Sequence, residues 1–448
     1  MTTIPAEPPF ALRARLLSPM AGGGLLDEPD GLLEVDAAGR LTRVGPWSDD
    51  TAATSVIDLR PLVVMPGMVD LHAHLPQIPN AGLGSGLDLL TWLDRYIFPL
   101  ERAYDRSVAE RQAPAAFRSF AAAGTTTVVA YTALWADSTD AAFAAAEAHG
   151  IRAVIGKVMM DRLSYDTEIS PSEILETSLR QSDELATRWH GADDGRLRYA
   201  FTPRFAVSCT TAMLRESALL AARHGAYWQT HLSEDTDEVD EVARLFPEAL
   251  DYVDVYDRAG ALGARTILAH AIHLSSREVD RIVEADARIA HCPASNLFLS
   301  SGMMPLDAHR EAGMTIGLGS DVAAGPEVSI FSVMRAGAVT QRVLELTGPA
   351  DPATALRPLD WLRMGTLDGA RALGLDAEIG SLELGKEADL IAIDPRFTDP
   401  LPGEDSPADA DAEEVAGRLV FRPHPNMVRA AWVRGRLLAG PPGVDAIG

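Results

Sequence analysis

Cysteine is nearly absent from this chain: Cys209 and Cys292 are the only two among 448 residues. Both stand in apolar, strand-like runs, so no disulfide framework is expected and a reducing, cytoplasmic compartment is. Lysine is as scarce, with only Lys157 and Lys386. No apolar run approaches the roughly 18 residues that cross a bilayer. Met1 to Phe10 has neither the basic nor the apolar region of a secretory signal. Positive charge is in deficit, 39 Lys and Arg against 64 Asp and Glu, for a formal net charge of −25. That surface repels phosphate backbones and anionic lipid, so neither nucleic acid nor membrane is an expected partner. A neutral or cationic small molecule is.

What is present is enough for a large core: 47 % of residues are hydrophobic, although only 6 % are aromatic. The length suits one large barrel with a small attached domain. Short strand-like runs mark the N-terminal stretch, at Ala11–Leu17, Gly31–Val35 and Leu41–Val44. Similar runs mark the C-terminal stretch, at Ala388–Ile393 and in a hairpin, Val428–Leu438, around Arg434-Gly435. They predict a small β-sandwich built from both ends, residues 1–65 and 376–448. Between them, residues 66–375, eight apolar runs alternate with amphipathic segments. The runs are Val63–His72, Thr125–Tyr131, Arg152–Met159, Tyr199–Phe205, Ala226–His231, Thr266–His270, Arg288–His291 and Thr315–Gly319. This alternation predicts an α/β fold, a TIM-type (β/α)8 barrel. The Pro- and acid-rich segment Asp399–Glu414 reads as an exposed loop.

Histidines cluster where those strands end. His72 and His74 lie two apart on the first strand and so face the same side. His231 ends the fifth strand, His270 the sixth, and Asp321 follows the eighth. All five fall at the face of a barrel that carries activity. Imidazole and carboxylate without thiolate suit a catalytic rather than a structural metal.

The segment Pro66-Gly67-Met68-Val69-Asp70-Leu71-His72-Ala73-His74, with His231, His270 and Asp321 following in order, resembles the amidohydrolase superfamily. Finer motifs resemble its guanine deaminase branch. They are Pro76-Gln77, Trp92-Leu93, Phe98-Pro99-Leu100-Glu101, Gly156-Lys157-Val158, Thr202-Pro203-Arg204-Phe205, His231-Leu232-Ser233-Glu234, His291-Cys292-Pro293 and Ser295-Asn296-Leu297. The resemblance spans nearly the whole chain. It implies a distorted barrel, a homodimer, and one Zn2+ per chain held by His72, His74, His231, His270 and Asp321; such ligands also accept Fe2+. Relatives with two metals use a bridging lysine on the fourth strand. Here that strand ends in Arg204, and Lys157 falls on the third, where a carboxylate partner is expected for it.

The implied chemistry is hydrolytic deamination of guanine to xanthine and ammonia, a step of purine catabolism. Glu234 is the implied proton shuttle, with Asp321 and His270 assisting. Arg204 only donates hydrogen bonds and suits a ring carbonyl; Gln77 offers both polarities; Phe205 and Trp92 supply apolar walls. Trp135 stands where a histidine is familiar in this branch and is expected near the pocket, where it would reshape it. Other aminated heterocycles (8-oxoguanine, a pterin such as isoxanthopterin, a triazine) remain alternatives, with ring-opening hydrolysis and a non-catalytic scaffold further off. The absence of Pro-Cys-x-x-Cys sets aside the unrelated zinc deaminase fold.

Overall fold

The computed structural model describes residues 4–48, 55–166, 168–348, 355–401 and 410–441. The first four strands, β1 (Phe10–Pro19), β2 (Leu25–Val35), β3 (Leu41–Pro46) and β4 (Ile57–Pro66), belong to one sheet. The barrel follows: β5 (Met68–His74), β6 (Thr125–Tyr131), β7 (Arg152–Gly156), the short β8 (Val158–Met159), β9 (Leu197–Pro203), β10 (Tyr227–Leu232), β11 (Thr266–His270), β12 (Arg288–His291) and β13 (Thr315–Leu318). The chain returns to the first sheet with β14 (Leu390–Ile393), β15 (Val428–Val433) and β16 (Arg436–Leu437). The order of that sheet is β16-β15-β14-β4-β1-β2-β3. It encloses its own core, in which Leu12, Leu16, Leu33, Leu390 and Trp432 are buried.

Eight parallel strands run in sequence from β5 to β13, with β8 pairing beside β9. Their side chains are buried almost without interruption. That burial is why β6 reads Thr-Thr-Thr-Val-Val-Ala-Tyr: a strand covered on both faces shows no polar alternation. The ring closes at its upper rim, where Asp321 N donates to the His72 carbonyl at 2.7 Å. Gly67 lets β4 turn into β5, because a Cβ there would lie 2.0 Å from Thr126 Oγ1. Buried Arg152 joins the lower end of the barrel to the other sheet by ion pairs to Glu387 and to Asp389, the latter at 2.9 Å.

The expected strands reappear with ends moved by a few residues, apart from two splits. Pro66-Gly67 divides the first run into β4 and β5, and Lys157 divides the third into β7 and β8. Asp399–Glu414 is not wholly a loop. Residues 402–409 lie outside the described residues, but Asp411 caps a helix, Ala412–Phe421, by accepting from Glu414 N at 2.9 Å. No described helix is long and apolar enough to cross a membrane.

Candidate active site

The upper ends of the barrel strands converge on a buried polar cluster. One nitrogen each of His72, His74 and His231 and an oxygen of Asp321 all lie within 4.8 Å of one another. His72 Nε2 and His74 Nε2 each stand 3.2 Å from Asp321 Oδ1. Three imidazoles and one carboxylate, with no thiolate, form an open N/O ligand set suited to a catalytic divalent ion. The remaining ring atoms are held accordingly. His231 Nδ1 contacts the Arg204 carbonyl at 2.6 Å, which fixes the proton there and turns Nε2 inward as a lone pair. Burial lowers the His72 pKa to about 4, against the pull of Asp321, so its ring is a neutral donor at neutral pH.

The set of five separates into four and one. His270 belongs with Glu234 and Asp321 in a second group, its Nε2 3.4 Å from Glu234 Oε2 and 3.9 Å from Asp321 Oδ2. Its Nδ1 is held by Asn296 Oδ1 at 2.9 Å, and its buried Nε2 has no hydrogen-bond partner among the described residues. A fully buried, unmatched imidazole nitrogen facing two carboxylates costs free energy unless something occupies the space between.

The two carboxylates are driven apart. Burial, reinforced by the charge of Asp321, raises the Glu234 pKa well above the ordinary range. Burial acts in the same direction on Asp321, but the charge and hydrogen bonds of the neighbouring histidines, His72 first, win and hold it well below. The two shifts run in opposite directions, so Glu234 is the carboxyl that more readily holds a proton and Asp321 the one that more readily ionises, a division that suits acid–base chemistry. The backbone is strained at these positions: Ser233, His270 and Asp321 have φ of 47°, 74° and 46°. Such left-handed residues without glycine cluster where function fixes geometry.

A cavity opens onto this cluster. It is lined by His74, His231, Glu234 and Asp321 of that cluster, by Gln77 and Arg204, which meet at Glu101 and form one polar edge, and by apolar Trp92, Phe205, Leu89, Leu93 and Leu299. The four residues expected to bind substrate thus all line one space. Trp92 is anchored by its indole N–H to the Leu83 carbonyl at 3.0 Å.

Two expectations are corrected. Trp135 does not line the cavity. Its indole donates to the Arg102 carbonyl at 3.0 Å and packs edge-on against Tyr165. Lys157 hydrogen-bonds no carboxylate among the described residues; its ammonium donates to Ser178 Oγ at 2.8 Å and the Val158 carbonyl at 3.3 Å, and burial lowers its pKa to about 7 against the opposing charge of Asp166. His273, beside the site, meets the Ser301 carbonyl at 2.8 Å.

Sequence reasoning assigned no role to several residues that shape the site. Tyr131 packs its ring against His72, His74 and His231, with centroids 4.5–5.1 Å apart. Ser295 donates to Asp321 Oδ2 at 2.5 Å, and Asn296 steadies His270. Glu101, fully buried, holds both Gln77 and Arg204. Ser295, Asn296 and Glu101 lay within quoted motifs; nothing local to them announced the partner they would meet.

A barrel of eight parallel strands carrying an N/O metal set at its upper rim defines a metal-dependent hydrolase. The chain belongs to the amidohydrolase family, whose pattern it matches over residues 63–438. Within that family it resembles guanine deaminases. It is 35 % identical over 416 residues to a probable guanine deaminase of Deinococcus radiodurans, covering 91 % of this chain and 92 % of that one. It superposes on the guanine deaminase of E. coli with a TM-score of 0.87 at 30 % identity, covering 96 % and 99 % of the two chains. The guanine deaminase of C. acetobutylicum with guanine bound in its active site gives 0.86 at 29 % identity, covering 96 % and 99 %.

Proposed function

We propose that this enzyme hydrolyses guanine to xanthine and ammonia. The carrying observation is a single cavity lined by Arg204 and Gln77, side by side on Glu101, by Glu234 and Asp321, and by the rings of Trp92 and Phe205. Guanine matches that layout: a flat ring, a carbonyl for the arginine, and an exocyclic amine on C2 to be lost. The guanine deaminase relatives support the same reading.

His72, His74, His231 and Asp321 would hold one divalent cation, for which zinc suits the donor set best. When bound, that ion supplies the electrophilic charge that makes water nucleophilic at neutral pH. Asp321, ionised, orients the water and accepts its proton. The water oxygen bonds to C2. Glu234 gives its proton to the ring nitrogen N3; the proton held by Asp321 then passes to the amine, the C2–N bond breaks to release ammonia, and the new C2 hydroxyl returns its proton to Glu234 as it becomes the carbonyl. General acid–base help of this kind is worth about 10²–10⁴-fold. His270, tethered by Asn296, has its Nε2 between Glu234 and Asp321, where it would contact the attacking oxygen. Arg204 bonds the guanine carbonyl and rejects adenine, whose amine would set donor against donor.

The absence of a lysine at the end of β9 supports one metal rather than two. The two buried free cysteines suit a reducing, cytoplasmic compartment. Homodimer assembly and a place in purine catabolism complete the proposal on the strength of the resemblance. The test is a substrate panel of guanine, adenine, 8-oxoguanine, isoxanthopterin and an aminotriazine, with ammonia release measured for each. Guanine should lead. Preferential turnover of any other member would reassign the substrate.

A further inference from the structure

Glu101 touches no space that a substrate fills, yet both polar residues of the cavity edge depend on it. It lies in the short helix Phe98–Ala103 and is completely buried. One carboxylate oxygen accepts from Gln77 Nε2 at 2.8 Å, and the other accepts from Arg204 Nη1 at 2.5 Å. Phe98, one helical turn earlier, presents its ring to the Arg204 guanidinium with 5.4 Å between the guanidinium carbon and the ring centre.

A carboxylate only accepts hydrogen bonds, whereas a glutamine amide can present either end. Facing Glu101, Gln77 must turn its NH₂ group outward from the cavity and leave its oxygen toward it. That oxygen bonds nothing within the described protein. Arg204 gives one nitrogen to Glu101, and its other guanidinium N–H groups meet no hydrogen-bond acceptor among the described residues. The cavity edge therefore offers a donor beside an acceptor, in a fixed order.

We infer that Glu101 is a positioning residue that sets the hydrogen-bond polarity of the substrate edge, so that the site reads a ring carbonyl next to a ring N–H and refuses an amine next to a bare ring nitrogen. The inference rests on the proposed function and adds to it the residue that enforces its selectivity. A neutral amide at position 101 can donate as well as accept, which frees Gln77 to flip and removes the charge that aims Arg204.

The test compares guanine with 2,6-diaminopurine. Both carry the amine at C2 that is lost. The second replaces carbonyl and N–H by amine and bare nitrogen. Wild-type enzyme and Glu101→Gln, matched for metal content, are assayed for kcat/KM on both. The wild type is expected to favour guanine at least a hundredfold. Glu101→Gln should narrow that ratio tenfold or more, chiefly through a higher KM for guanine. If Glu101→Gln does not fold, Glu101→Asp decides, because its carboxylate is retained but withdrawn and the ratio should fall in the same direction. A purely structural role would lower both activities together and keep the ratio; that result overturns the inference while leaving the function standing. No guanine turnover by the metal-loaded wild type overturns the function, and the inference with it.

Discussion

His231 Nδ1 lies 2.6 Å from the backbone carbonyl oxygen of Arg204. That contact joins the metal ligand set to the substrate edge through adjacent strands, β9 and β10. The carbonyl of Arg204 fixes the histidine tautomer while its side chain points into the cavity. A shift in the exit of β9 would thus disturb metal and substrate together. Tyr256 adds to the restraint by donating its hydroxyl to the His231 carbonyl at 2.8 Å.

Glu234, the proposed proton carrier, is absent from the four-ligand group. Glu234→Gln is expected to retain metal and lose kcat by about 10²–10⁴-fold. Metal analysis and steady-state kinetics on the same preparation check both halves. Near-normal turnover would remove Glu234 from the reaction.

Arg204→Ala should leave metal content unchanged and reduce kcat/KM for guanine by on the order of 10²-fold or more, because the ring carbonyl then faces no donor. Binding of xanthine, measured by calorimetry, should weaken in parallel. Undiminished xanthine affinity would place the carbonyl elsewhere in the cavity.

Asn296 Oδ1 accepts from His270 Nδ1, and that one contact sets which nitrogen of the ring faces Glu234. Asn296→Leu should lower kcat by about 10–100-fold, the range for groups that orient a metal-site histidine. Thermal stability measured alongside separates loss of orientation from loss of fold.

His291 provides a pH signature of stability. Burial lowers its pKa to about 3 in the folded chain, from about 6.5 when exposed. Above pH 6.5 it is neutral in both states and contributes no pH dependence. As pH falls below that value the unfolded chain takes a proton that the folded chain refuses, so stability is lost at about 1.4 kcal/mol per pH unit. Between pH 7 and 5 this amounts to roughly 2 kcal/mol. Denaturant unfolding of His291→Gln should show a shallower loss over that interval; equal slopes would mean that the buried ring takes up protons freely.

Much of this arrangement was legible in the sequence because its signals are local. β6, β11 and β12 were bounded correctly because Gly124 precedes the first of these short buried runs, and His270 and His291 close the other two. The metal residues stood out because each falls at a strand end, where the topology alone makes distant positions converge. Distance in sequence hid the rest. Glu101 and Arg204 are separated by 103 positions, and no property of either segment reveals that a six-residue helix folds over the barrel mouth to join them. Trp135 was misplaced for a related reason. Its position after β6 is near the rim, but the direction of its indole is set by Tyr165 and the Arg102 carbonyl, both contributed by other segments.

The most direct test loads the purified chain with zinc, counts metal atoms per chain, and follows guanine consumption with xanthine and ammonia formation together. One metal per chain, and one xanthine and one ammonia per guanine consumed, with both metal and activity lost in Asp321→Ala, is the predicted result. A metal-loaded protein that leaves guanine intact, or an Asp321→Ala variant that keeps full activity, would contradict it.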